Sequence, residues 1–480
     1  MRNASYLMGA VMEQRWKVLL VVSVGLFMSS LDLFIVNIAF PDLARDFDGA
    51  TFSSLSWVLN AYAIVFAALL VPAGRLADRI GRKRVFVAGL LLFSAASALC
   101  AAAPSVEFLV AARIVQAAGG ALMIPATLGL ILPVFPAEQR ALAIGIWSAV
   151  GGVAAALGPP IGGLVLELSW RWIFLVNVPI GVITALFAVR MLNEVREPED
   201  GRPDLLGALE LALGIGALTL GIVKGTDWGW GDPRTIASFV GAVGLIAAFV
   251  RRSAHHHAPV IELPLLRVRS FSVANLAALV FFAGFGAMLL SGVLLLTEVW
   301  GYSALTAGFA LSPGPLMAAA FAIPSGRLGG RIGQRPIAAT GGLLFAASFA
   351  WLLGNVDANS SYAASYLPGN MIGGAGVGMV LGTLPAAATA SLPPSRFATG
   401  TAVFSMARQL GVAIGVAILI ALIDGSGDLL VGLRHGWWFA LGAGLGTAAL
   451  AVAIGPAKTA SVSTLSTHGR QSRQPTAEAA

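Results

Sequence analysis

Cysteine occurs once in 480 residues, at Cys100, so an intrachain disulfide cannot form and a bridge-stapled secreted scaffold is excluded. Cys100 lies in an apolar run and reads as a buried packing thiol. Charge is scarce too: Asp, Glu, Lys and Arg together make up 11%, while hydrophobic residues reach 57%, outside the range of ordinary soluble domains. Histidine appears five times, three of them adjacent. His255, His256 and His257 point in different directions with no Cys or carboxylate set beside them, which makes them loop residues and not metal ligands. A Gly-x-x-x-x-Gly-Lys-Ser/Thr loop, zinc-ligand spacing and a nucleophile elbow are all missing. ATP drive and hydrolytic chemistry therefore lack residues, and no cofactor is implied.

What the chain has instead is apolar length. A bilayer core of about 30 Å needs about 20 apolar residues per helical span. Runs of that size recur near 17–39, 53–73, 84–103, 107–132, 141–166, 173–192, 205–223, 235–251, 272–297, 304–324, 337–354, 365–388, 398–422 and 436–456. The first begins at Lys17 and carries Asp32, unlike the short apolar region of a signal peptide, and reads as a retained helix. Ser461 to Ala480 turns polar and is expected to be disordered.

The formal charge of +7 bears on topology rather than on nucleic acid. With the N-terminus inside, five of the 30 Lys and Arg fall outside (Arg45, Arg171, Lys224, Arg234, Arg434) and two lie within helices (Arg113, Arg408), leaving 23 on the cytoplasmic side. An odd helix count would scatter the basic clusters over both faces. Fourteen helices gather Arg75 to Arg84, Arg190 to Arg202, Arg251 to Arg269 and Arg327 to Arg335 on one, with both termini cytoplasmic and the protein in the inner (plasma) membrane.

The stretch from Gly74 through Asp78, Arg79, Gly81 and Arg82 to Arg84 returns in weakened form from Gly326 to Pro336, each copy after the second helix of a six-helix half. Two related halves with room for two helices between them define an all-α membrane protein of six plus two plus six helices. The expected units are 12–198 and 270–456 for the bundles, 204–252 for the extra pair and 457–480 for the tail. Gly74 to Arg84 is expected to form a tight turn on the cytoplasmic face.

Asp32 and Arg113 both lie inside apolar helices. Such a charge costs about 2.5–3.5 kcal/mol on insertion scales, so each should face a cavity or a partner. A carboxyl that gains and loses a proton as its access to water switches sides is a proton carrier. That role requires Asp32 to reach an aqueous vestibule. A fixed structural carboxylate is the alternative, as is an Arg113 that bonds helix-end carbonyls, and Gln116 suits either role.

Residues 74 to 84 resemble the signature loop of the major facilitator superfamily, and the degenerate second copy fits that family. Gly330 replaces Asp78 in the second copy, so a charge latch is carried over to Asp78 alone. Leu31 to Pro41, with Asp32, resembles the first-helix motif of the drug:proton antiporters with fourteen helices, and Ala112 to Ala121 resembles the superfamily's arginine-bearing motif. Gly158-Pro159-Pro160-Ile161-Gly162-Gly163 resembles the antiporter motif of exporters. Ser169 to Gly181, Thr297 to Gly308 and Ala407 to Gly415 also match the subfamily, with Glu298 where a glutamine is common.

The resemblance implies a monomeric secondary transporter in the bilayer that exports amphipathic or lipophilic compounds in exchange for protons by alternating access. Asp32 and Arg113 would carry the coupling, and Asn37, Gln116, Phe281, Phe285, Met288 and Glu298 are the candidate cavity residues. Asp32→Asn is expected to abolish efflux with the fold largely intact. A transporter of one metabolite or natural product and a transport-inactive sensor or scaffold remain alternatives, with a membrane enzyme a weaker third.

Overall fold

The computed structural model describes residues 2–196, 203–359, 361–392 and 396–454. The expected tail, 457–480, lies outside the described residues. With no water in a bilayer core, a spanning segment has to satisfy its backbone internally. Each apolar run accordingly winds into a helix, and no β-strand occurs among the described residues.

Fourteen helices are long and apolar enough to cross a membrane. The first six are α1 (Gln14–Ile38), α2 (Phe52–Ile80), α3 (Arg82–Ala101), α4 (Val106–Ile131), α5 (Leu142–Leu166) and α6 (Trp172–Met191). Then come α7 (Leu205–Trp228) and α8 (Pro233–His255). The last six are α9 (Arg269–Val299), α10 (Ala304–Ile332), α11 (Gln334–Asn355), α12 (Tyr362–Thr389), α13 (Thr399–Asp424) and α14 (Leu429–Ala453). Polar residues set the starts: Thr51, Ser105, Asp204, Ser303 and Asp428 each accept a first-turn backbone N–H of the helix they precede.

In the first bundle α1 packs on α5, α6 and α4, while α4 also packs on α2 and α3. The second repeats the scheme, with α9 on α13 and α14, α12 on α10 and α11. Equivalent glycines let equivalent helices touch. A Cβ on Gly119 of α4 would sit 2.6 Å from the Phe93 nitrogen of α3, and one on Gly376 of α12 would sit 2.6 Å from the Gly341 carbonyl of α11. The α7–α8 hairpin packs through α7 on both α2 and α13, and so leans on both bundles.

The basic clusters at 75–84, 190–196, 251–269 and 327–335 all fall at one end of the helices, here the basic face; the other end is the far face. The expected turn at 74–84 is much shorter than the motif: α2 runs through Gly74 and Arg79 to Ile80, and only Gly81 separates it from α3. The long apolar run simply continues as helix until a residue free to take positive φ ends it. Gly81 sits at φ 121°, and Gly333 does the same at φ 95° in the second copy.

Asp78 spans this turn, its carboxylate accepting from Arg82 Nε at 2.7 Å, while Arg82 Nη1 reaches the Gly129 carbonyl of α4 at 3.0 Å. Glu194, beyond α6, accepts from the Lys83 backbone at 3.0 Å. These bonds tie α2, α3, α4 and the end of α6 within one bundle. A Cβ at Gly81 would lie 2.4 Å from the Glu194 carboxylate. Gly81→Ala is therefore expected to cost about 1–3 kcal/mol through backbone strain and a displaced Glu194, read as a lowered thermal midpoint of the purified protein.

Candidate functional site

Asp32 lies six residues before the end of α1, about 9 Å of helix from the far face. Its carboxylate is 0% exposed and Arg113, from α4, is 1% exposed. Arg113 Nη1 donates to Asp32 Oδ2 at 2.5 Å. Gln116, one turn further along α4, donates through Nε2 to Asp32 Oδ1 at 2.9 Å and accepts from Arg113 Nη1 at 2.7 Å. Asn177 of α6 adds a donor to the same carboxylate oxygen at 3.2 Å. Ser97 of α3 receives Gln116 and Asn177 at 3.1 Å each and donates to the Phe174 carbonyl at 2.9 Å.

Two features hold the cation. Arg113 Nε donates to the Val58 carbonyl of α2 at 3.2 Å, and its guanidinium lies 4.1 Å from the centre of the Tyr62 ring. Five of the six helices of the first bundle thus meet around one ion pair. Removing two charges from water costs several kcal/mol each, and close geometry with three donors on the carboxylate is what makes the burial tolerable.

Of the cavity or partner that each charge was expected to face, the structure supplies the partner, each being the other's, but not the expected vestibule: the carboxylate is sealed on all sides in this conformation. The reason is that α6 closes over the pair through Asn177 and Phe174. A second expectation changes with it. Asp32→Asn would leave Arg113 as an unpaired buried cation, which costs about 3–5 kcal/mol, so the fold would not stay largely intact.

The cavity candidates separate. Asn37 turns back onto its own helix, donating to the Leu33 carbonyl at 2.8 Å, and Gln116 belongs to the ion-pair network. Phe281 is fully buried in the second bundle, with its ring 4.8 Å from that of Phe345, so it lines no open cavity. Phe285 and Met288 are half-buried against the same core. Glu298 is exposed and, with Asp42, Arg45 and Glu167, lines a far-face cavity of about 540 Å³ between the bundles. Burial raises the Asp42 pKa there, and Arg45 at 2.8 Å opposes the rise.

Sequence reading missed Asn177, Ser97 and Tyr62. Asn177 stood in the Ser169 to Gly181 string, matched to the subfamily without a role of its own, and its signal was an amide inside an apolar run.

The glycine–proline stretch of α5 has two faces. Gly158 and Gly162 fit against Phe34, Ile35 and Ile38 of α1. Gly163 and Pro159 meet α10 of the other bundle: a Cβ on Gly163 would sit 2.5 Å from the Ala304 carbonyl, and one on Gly308 2.3 Å from the Pro159 carbonyl. Residues 144–146 of α5 and 319–321 of α10 are exposed in succession, about 200° of each helix's circumference.

The family model described as Major Facilitator Superfamily matches residues 22–416 and 276–477. The chain is 35% identical over 424 residues to a probable actinorhodin transporter of Streptomyces coelicolor, covering 86% of this chain and 73% of that protein. It is 34% identical to the multidrug resistance protein Stp of Mycobacterium tuberculosis, covering 84% and 74%. A crystal structure of a D-xylose–proton symporter superposes with a TM-score of 0.66 at 14% identity, over 92% of this chain and 98% of that one, a likeness of fold.

Proposed function

This chain belongs to the Major Facilitator Superfamily, and on that premise we propose that it exports amphipathic or lipophilic compounds, with protons moving inward in exchange. The observation that carries the reading is the Asp32–Arg113 pair, a titratable acid and a permanent cation 2.5 Å apart in a bundle that otherwise buries apolar surface. Relatives named as a probable actinorhodin transporter, a multidrug resistance protein and a multidrug export protein support the direction and the substrate class.

In this reading the basic face is cytoplasmic, and the protein is a monomer in the inner membrane with both termini inside. The α5–α10 contact closes the far face, and the exposed stretches of those helices toward the basic face, 144–146 and 319–321, mark where substrate enters from the cytoplasm or the inner leaflet. Protonating Asp32 while it is sealed would strand Arg113, so proton binding is coupled to a conformation in which the guanidinium finds water or another partner. Opening of the far face supplies that conformation, since Asp32 lies at its end of α1. The proton enters from outside, and closure toward the outside with release inward restores the pair.

The test is transport in proteoliposomes with a panel of lipophilic dyes and antibiotics under an imposed pH gradient. Gradient-dependent movement of at least one compound, accompanied by counterflow of protons, is the expected result. Movement indifferent to the gradient, or none across the panel with uptake of a hydrophilic nutrient instead, defeats the proposal.

A further inference from the structure

The segment that follows α8 and leads into α9 lies across the basic face where the two bundles meet. Val260 and Leu265 of this segment are each 1% exposed, buried in one apolar cluster with Ala68 and Val71 of α2, Phe271 of α9 and Val403 and Met406 of α13. Between these two pegs stands Glu262, its side chain 17% exposed. One carboxylate oxygen, Oε1, lies 3.6 Å from Arg75 Nη2 at the end of α2 and 2.5 Å from Arg396 Nη1 at the start of α13. Arg75 belongs to the first bundle and Arg396 to the second.

We propose that Glu262 is a clasp that holds α2 to α13 at the basic face, and that the two inserted helices serve to hold that clasp in place. The base of the insert is fixed for this purpose: Asp204, fully buried ahead of α7, takes Arg252 of α8 at 2.5 Å. The segment's other end is tied as well, since Ser272 on the first turn of α9 donates to the Leu266 carbonyl. The sign of the charges explains why one carboxylate suffices. With Glu262 in place both arginines are drawn to a single oxygen; without it, two like charges face each other across the seam. The clasp differs from the Asp78–Arg82 contact, which ties helices of the first bundle alone.

The inference rests on the alternating-access reading only where it treats the seam as a gate, and its test needs no transport. In a Cys100→Ala background, a Val71→Cys reporter places a thiol in the apolar cluster beneath the segment, and its reaction with a water-soluble maleimide is timed in lipid nanodiscs. Glu262→Gln is expected to speed labelling by about fivefold or more, with Arg75→Gln and Arg396→Gln each raising it less. Glu262→Asp should keep it slow. Arg267→Gln, which removes an exposed charge of the same segment with no ion pair among the described residues, should leave the rate unchanged. If Glu262→Gln does not fold, the two arginine variants carry the same test. Folded variants that label at the parental rate, or Arg267→Gln speeding labelling as much as Glu262→Gln, would overturn the clasp.

Discussion

Asp32→Asn is expected to bring gradient-driven efflux down to the passive leak of empty vesicles, and to lower stability by about 3–5 kcal/mol because Arg113 is left charged and buried. A loss of activity in that variant alone would therefore be ambiguous. The companion Asp32→Asn/Arg113→Gln removes both charges. Removing the second charge relieves the stranded cation, while the bond to the Val58 carbonyl and the contact with the Tyr62 ring are lost, so the double variant should recover much of the lost thermal midpoint and still fail to couple. Gln116 and Asn177 can bond the new amides, which keeps the packing of α1, α4 and α6 in place. The decisive measurement is efflux by the folded double variant under an imposed pH gradient: transport at the parental rate would take the ion pair out of the energy coupling.

Much of this site was legible before any coordinates. Asp32 and Arg113 stand out because a charge in a span is costly unless matched, and each predicts the other. The fourteen spans were legible for a related reason, since a bilayer demands apolar length and the sequence has no other use for such runs. What stayed hidden is the direction of neutral polar side chains. Asn37 and Asn177 look alike in sequence, yet one bonds its own helix and the other completes the carboxylate's shell. Helix rotation decides between those outcomes, and rotation is set by packing against neighbours. The same holds for Phe281, whose ring turns into the second bundle because Phe345 offers it an aromatic partner. The clasp at Glu262 was hidden because Arg75, Glu262 and Arg396 are distant in sequence and meet only when both bundles and the insert are in place.

The second large effect is expected from a single methyl group at the far face. In Gly308→Ala the new Cβ would lie 2.3 Å from the Pro159 carbonyl oxygen and 2.8 Å from its carbon, both backbone atoms of the opposite bundle, which no side-chain rotation relieves. Overpacking of this kind costs about 1–3 kcal/mol, and here the cost falls on one conformation only, because α5 and α10 must touch to close the far face. A penalty of that size moves the balance between conformations by about 5- to 160-fold, away from the closed far face. Spin labels at Glu167, beyond the end of α5, and Tyr302, ahead of α10, should then report a longer distance population, and efflux should fall because the cycle stalls with the far face open. Gly162→Ala provides the contrast. Its Cβ meets Ile35 and Ile38 of α1, inside one bundle, so it should lower the thermal midpoint without lengthening the label distance. Equal label distances in Gly308→Ala and the parent would mean that the close approach of α5 and α10 is packing alone and not the seal that opens during transport.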